Sequence, residues 1–263
     1  MRRLSILFLL ILAACSPIRQ KDTQPEITVM SYNIHTGKGM DGDFSLERIA
    51  GEIQKAGADI TGLQEVDRQT LRNPLDEPAI LEDLTGQSCV FSRNLDFQGG
   101  EYGIAVLTRF PILDRRSIHF PVIEGREPRG ALAVKIKPTH SGSHLWFVTT
   151  HLGTDRTGRE QESQVKALIE WTSGFGDGAP VLITGDFNQE PHSPAIRIME
   201  EGYTDLWKVC GEGEGFTFNA ETPIRRIDYL FVRKGALEDC SKAFVPTSTA
   251  SDHRPLAARI VLK

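Results

Sequence analysis

The chain of 263 residues has no dense block of lysine and arginine: 30 basic side chains stand against 35 acidic ones, for a formal charge of −5 at pH 7. A protein that grips long nucleic acid by its phosphates carries a basic stripe. Nothing here marks a strong nucleic-acid-binding surface, and no large basic or aromatic insertion is present. Internal repeats and low-complexity seams are also missing, which excludes a solenoid and leaves one large domain as the economical reading. Cysteine is scarce, at 15, 89, 210 and 240 only, and that spacing fits no zinc site. After Cys15 an odd number remains, to be read either as one bridge between Cys210 and Cys240 or as buried free thiols. The apolar run Leu4 to Ala14 is too short to cross a bilayer as a helix.

That run reads as an export signal. Arg2 and Arg3 supply the positive region, and Leu12-Ala13-Ala14-Cys15 supplies small residues ending in cysteine. The quartet resembles the bacterial lipoprotein lipobox. The resemblance implies removal of residues 1–14, a diacylglycerol on Cys15 and membrane attachment in the bacterial cell envelope; Ser16 in place of Asp points to the outer membrane of a Gram-negative host. Residues 15–25, polar and carrying two prolines, read as a tether, and residues 26–263 as the domain it holds.

What the domain does contain is a series of short apolar runs that end in polar side chains. In VLITGDFNQEP, Val181 to Pro191, Gly185 ends the run and Asp186 and Asn188 flank Phe187. Period-2 geometry would point 186 and 188 one way and Phe187 toward the core; the alternative is that the two polar residues only make a turn. ITVMSYNIH delivers Asn33 and His35, DITGLQEVD delivers Glu65, LWFVTTHLG delivers His151, RRIDYLFV delivers Asp228, and SDHRPLAARI delivers Asp252 and His253. SCVFSR, YGIAVLTRFPI, ALAVKIK, a stretch near Lys242 to Val245 and Leu256 to Leu262 add further strands. Ser45 is placed to cap a helix on Leu46, Ile49, Ala50 and Ile53. Other helices are expected within residues 72–86, over 159–171 on Val165, Leu168, Ile169 and the Trp171 end, and near Ser193 to Glu200. Strands outnumber helices and are often joined by short turns, so sheet packs on sheet with helices outside.

Taken in this order, the motifs resemble the endonuclease/exonuclease/phosphatase superfamily. These are metal-dependent phosphoesterases that include pancreatic-type deoxyribonucleases, abasic-site endonucleases, sphingomyelinases and inositol-phosphate phosphatases. The match runs from Ile27 to the C-terminus. It implies an α/β four-layer sandwich, two packed, mainly antiparallel β-sheets flanked by helices, with the polar strand ends converging at one edge. Phosphoester hydrolysis needs a hard cation, a group that orients or deprotonates water, and donors for developing charge. The resemblance makes Glu65 the ligand of Mg²⁺ or Mn²⁺, joined by the side-chain carbonyl of Asn33 and by Asp252. His253 becomes a donor to the scissile phosphate, with Asp228 fixing its tautomer and keeping it protonated, and His151 a second donor. Asp186 positions or deprotonates the attacking water and Asn188 binds the phosphate or that water, although the Asp228/His253 pair is a rival base.

His35 departs from the pattern. Many nuclease members carry an acidic residue there, and a neutral imidazole weakens any second hard-ion site. His35, Arg93 and Arg129 are left as candidates for substrate anions, the arginines reading equally well as surface charges. Short connections, an acidic body and a tether favour a small or lipid-borne phosphoester over genomic DNA, and NIHTGKGMDG looks like the first motif of proteins near the glycosylphosphatidylinositol-remodelling members. A surface-held nuclease and an anchored binding protein without catalysis are the alternatives.

Overall fold

The computed structural model of the chain describes residues 26–138 and 144–263; the signal, Cys15 and the tether lie outside them. In chain order the elements are β1 (Ile27–Asn33), α1 (Leu46–Ala56), β2 (Ile60–Arg68), α2 (Glu77–Thr85), β3 (Ser88–Phe97), β4 (Gly100–Thr108), β5 (Ile112–His119) and β6 (Gly130–Ile136). There follow β7 (Leu145–His151), α3 (Arg159–Ser173), β8 (Val181–Asp186), α4 (Pro194–Gly202), β9 (Tyr203–Asp205), α5 (Leu206–Cys210), β10 (Asp228–Arg233), β11 (Leu237–Phe244) and β12 (Leu256–Leu262).

The strands form two six-stranded sheets, ordered β11-β12-β1-β2-β4-β3 and β5-β6-β7-β8-β10-β9. Each has one parallel pair at its centre, β1 with β2 and β7 with β8, and antiparallel neighbours elsewhere. The parallel pairs are where a helix crosses over, α1 in one sheet and α3 in the other, as parallel strands require. Between the sheets lies a core of Val29, Ile60, Val106, Val134, Phe147, Leu182, Leu230 and Leu256, among others. Leu46, Ile49 and Ile53 of α1 and Leu81 of α2 cover the outer face of the first sheet. Val165 and Leu168 of α3 and Ile196 and Met199 of α4 cover the second. Helices, sheet, sheet, helices: the four layers are those the resemblance implied.

Ser45 caps α1 by accepting the Arg48 N–H at 3.3 Å. The run YGIAVLTRFPI is two strands, because Phe110 and Pro111 turn the chain between β4 and β5. Pro111 has no N–H to give a ladder. The three-residue β9 and five-residue α5 went unseen in the sequence, being too short to show a period. Cys210 and Cys240 are bonded, joining α5 to β11 with Cα atoms 5.9 Å apart. Cys89 is a free, half-buried thiol, which burial pushes up to about 12.

Candidate active site

Strand register assembles the site from two facing rows. In the second sheet Asp228 pairs with Asp186, and Asp186 with His151; Ala131 pairs with Thr150, which sets Gly130 at the end of that row. In the first sheet Asn33 pairs with Gln64, and Glu65 is an extra residue between Gln64 and Val66 against β4. The bulge turns Glu65 into the left-handed region, φ 58°, and so swings its carboxylate out of the alternation its neighbours follow. A second register slip on β3, between Arg93 and Leu95, falls against the same residue, Gly103, from the other side. His253 and Asp252 enter beside these rows just before β12.

Asp186 Oδ2 is the meeting point. Asn33 Nδ2 donates to it at 3.1 Å and to Glu65 Oε1 at 3.0 Å. His151 Nε2 stands 3.5 Å away and His253 Nε2 3.6 Å away. The other oxygen, Oδ1, accepts the Asn188 N–H at 2.8 Å. Ser251 ties the incoming chain to β1 by donating its hydroxyl to the Asn33 carbonyl at 2.7 Å.

The charges of the cluster follow from burial and pairing. Burial pushes the Asp186 carboxyl up to about 7, with His253 opposing and Asp228 adding to the rise. Burial disfavours a charged His253, but the carboxylates of Asp228 and Asp186 outweigh it and raise the imidazole to about 10; its Nδ1 lies 2.9 Å from Asp228 Oδ2. His253 is therefore an imidazolium at neutral pH. His151 is its opposite. Burial, then the charges of Arg129 and His253, hold it well below its ordinary value. Arg129 Nη1 is 2.7 Å from His151 Nδ1, and a guanidinium only donates, so Nδ1 accepts and the neutral ring carries its proton on Nε2, facing Asp186. One neutral and one charged imidazole thus offer N–H groups to the same place.

The structure brings together Asn33, Glu65, His151, Asp186, Asp228 and His253. Asp252 joins them at the rim, its carboxylate 3.7 Å from His35 Nδ1. Asn188 departs from the period-2 expectation: β8 ends at Asp186 and Asn188 has φ 51°, so the segment is a turn closed on Asp186 Oδ1, and the Asn188 amide donates to the Leu152 carbonyl at 3.0 Å. The turn and the site are one feature, since the turn occupies Oδ1 and leaves Oδ2 to face Asn33 and the two imidazoles. Asn33 faces the other way from expectation, its carbonyl accepting the His35 N–H at 3.1 Å while its NH₂ lies between two carboxylates. Arg93 is not brought in, and its guanidinium pairs with Asp96 on the same strand. Arg129, expected to hold a substrate anion or to lie on the surface, is buried rather than on the surface, and it orients His151. Asp228 pairs with His253 and not with the neighbouring arginines, which go to Glu190 and Asp205. Sequence reasoning missed Ser251, although it lies inside the SDHRP motif, and Phe218, whose ring centroid is 4.9 Å from that of His253.

The donor set fits a hard divalent cation at Glu65. Its carboxylate is half-buried and bonded to a neutral amide, with Asp252 as a second partly exposed carboxylate, and oxygen ligands of this kind suit Mg²⁺ or Mn²⁺. Among the described residues, ligand atoms of Asp186, Asp228 and His253 also lie within 4.8 Å of one another. That cluster already holds a positive charge in His253, which a cation would have to displace.

The model of the endonuclease/exonuclease/phosphatase family matches residues 30–253. In sequence the chain is 29% identical over 251 residues to the protein YbhP of Escherichia coli (strain K12), covering 89% of this chain and 96% of that one. In fold it is similar to a mannosyl-6-phosphatase of Bacteroides thetaiotaomicron VPI-5482, with TM-score 0.76 at 22% identity over 89% of this chain and 99% of the other. It is similar also to the human Nocturnin catalytic domain with bound sulfate anion, with TM-score 0.73 at 21% identity over 91% and 94% of the two chains.

Proposed function

Because the chain belongs to the endonuclease/exonuclease/phosphatase family, whose members are divalent-metal-dependent phosphoester hydrolases, we propose that it hydrolyses a small or lipid-borne phosphoric ester, as a phosphodiesterase or phosphatase. The observation that carries the reading is the convergence of Asn33, His151 and His253 on Asp186 Oδ2, at 3.1, 3.5 and 3.6 Å. A carboxylate poised near neutrality can take a proton from water, and two imidazole N–H groups too far from it for full hydrogen bonds are free to turn to phosphoryl oxygens. Glu65 and Asp252 would hold Mg²⁺ or Mn²⁺, which would supply positive charge to the nonbridging oxygens.

Each side chain then has a task. His253, kept charged by Asp228, donates to the phosphoryl group as negative charge builds. His151, kept neutral by Arg129, donates its Nε2–H without adding repulsion toward the cation. Asn33 holds Asp186 and Glu65 in register, and the Asn188 N–H keeps Oδ1 occupied so that Oδ2 is the oxygen offered to water. His35 is half-buried beside Asp252. Cys15 is proposed as the lipid anchor and the bacterial cell envelope as the location, on the motif alone.

The test is turnover of bis-p-nitrophenyl phosphate, phospholipids, inositol phosphates and plasmid DNA by residues 26–263 with Mg²⁺, and again with chelator. Hydrolysis of a small or lipid ester that chelator abolishes is expected; plasmid cleavage alone would make it a nuclease, and no turnover of anything a binding protein. Glu65→Gln is expected to raise the Mg²⁺ concentration for half-maximal rate at least tenfold, a carboxylate ligand being replaced by a neutral one.

A further inference from the structure

Two buried donors at the end of the site have no acceptor among the described residues. Asn94, the residue at the register slip of β3, is 7% exposed and its Nδ2 is bonded to none of them. Arg129 is 6% exposed, and although its Nη1 reaches His151 and Glu127, its Nε is unpaired. Both stand at Gly130. A Cβ there would lie 2.4 Å from the Ile118 carbonyl of β5, which demands glycine, and 3.1 Å from Asn94 Oδ1, so Asn94 of the first sheet reaches the start of β6 in the second. Buried N–H groups without partners are rare and costly, and two on residues beside the same glycine call for an acceptor from outside.

Their position says which molecule brings it. One row of the site runs Asp228, Asp186, His151, Gly130 across β10, β8, β7 and β6; the facing row runs Asn33, Glu65, Gly103, Asn94 across β1, β2, β4 and β3. Gly130 is two strands from Asp186, roughly 10 Å along the cleft, on the side away from Asp228 and His253. A group bound there belongs to the same substrate whose phosphate lies at Asp186.

We infer that Asn94 and Arg129 form a second subsite, which takes an oxygen acceptor on the alcohol portion of the phosphoester, either a hydroxyl or a second phosphoryl oxygen. It rests on the proposed hydrolase reading for the placement of the first phosphate. Phenyl phosphate has no acceptor to offer it beyond its own phosphate, whereas polyol phosphates and alkanediol bisphosphates do.

Calorimetric binding of inositol monophosphate, butane-1,4-diol bisphosphate and phenyl phosphate to residues 26–263, with Mg²⁺, tests this in wild type, Asn94→Ala and Asn94→Asp. Wild type is expected to bind at least one of the first two more tightly than the aryl ester, and Asn94→Ala to lose that preference by about five- to tenfold, the effect of one hydrogen bond, with aryl ester binding unchanged. Asn94→Asp replaces donors by acceptors. It should spare a hydroxyl, which also donates, and weaken a phosphoryl group more than tenfold, so the two sources separate. Arg129 variants are no substitute, because they also release His151. Equal preference in wild type and Asn94→Ala overturns the subsite, as does a wild type that binds neither acceptor-bearing ligand. Turnover of phenyl phosphate judges the hydrolase reading separately, since that ester has no acceptor to put on Asn94.

Discussion

At the scale of residues, the two imidazoles show how much environment decides. His151 and His253 are both buried against Asp186, yet one is forced neutral and the other charged, because Arg129 faces the first and Asp228 the second. The pH dependence of the rate follows with its sign. Asp186 must lose its proton to act as base, so kcat/KM of the metal-loaded enzyme should rise as pH climbs through the range near 7; His253 must keep its proton to donate, so the rate should fall as pH approaches about 10. Bound cation draws both limbs toward lower pH, and the two steps belong to the coupled cluster. Asp186→Asn is expected to remove the rising limb and lower kcat by roughly 10²–10⁴-fold. A pH profile for that variant parallel to wild type would give the base role to the Asp228/His253 pair. The carboxylates and imidazoles were legible in the sequence because they close apolar runs in a familiar order. Arg129 was in view only as a holder of substrate anions or a surface charge, its hold on His151 depending on the pairing of β6 with β7, and Asn94 was not in view at all: it owes its place to a register slip against Gly103, and no local pattern announces a slip.

At the scale of elements, what places Asp186 within reach of Asn33 is the close approach of the two central parallel pairs. Gly62 on β2 makes it possible. A Cβ there would stand 2.3 Å from Thr184 Oγ1 of β8 and 2.6 Å from Thr149 Oγ1 of β7, and Gln64 reaches across just above to donate to Thr149 Oγ1 at 2.9 Å. Gly62→Ala should therefore prise the sheets apart beneath the site and cost about 1–3 kcal/mol, read as a lower urea midpoint with an unchanged slope, and it should lower kcat as well. Gly51 is the matched control. It lies inside α1 with nothing within 4 Å of the added Cβ, so Gly51→Ala should raise stability by about 0.5–1 kcal/mol and leave activity alone. Equal stability of the two variants would mean that the sheets are not in contact at Gly62. Helices and long strands could be read from period and capping, as Ser45 shows. The distance between sheets could not, because a glycine in a strand looks the same whether it admits a neighbour or merely interrupts a run.

At the scale of the whole molecule, the direction of β1 constrains what an anchored form can reach. β1 starts at Ile27 and delivers Asn33, its seventh residue, to the site, about 20 Å away. A tether joined before Ile27 therefore leaves from the end of the sheets opposite the active site. If Cys15 carries lipid as proposed, residues 15–25 extend to about 40 Å at most. A domain of this length is roughly 45 Å across, so a path from Ile27 out to its side and back up the length of β1 is about 40 Å. The tether covers that path only when fully stretched, which its conformational entropy opposes, so the site does not rest against the leaflet that holds the anchor. An acidic body, of formal charge −5 before the loss of Arg2 and Arg3 with the signal, is also repelled by an anionic leaflet. The anchored enzyme should thus act on esters that diffuse to it or are presented by a facing surface. Lipidated protein in vesicles is expected to hydrolyse a soluble ester with the same kcat/KM as residues 26–263 in solution, and a lipid ester in its own vesicle no faster than one in separate vesicles. Inserting about 20 Gly/Ser residues after residue 20 adds roughly 70 Å of contour and should bring on hydrolysis within the same vesicle. Rapid same-vesicle hydrolysis at the native tether length would show that the domain lies with its strand ends toward the membrane, and the geometry argued from β1 would fall.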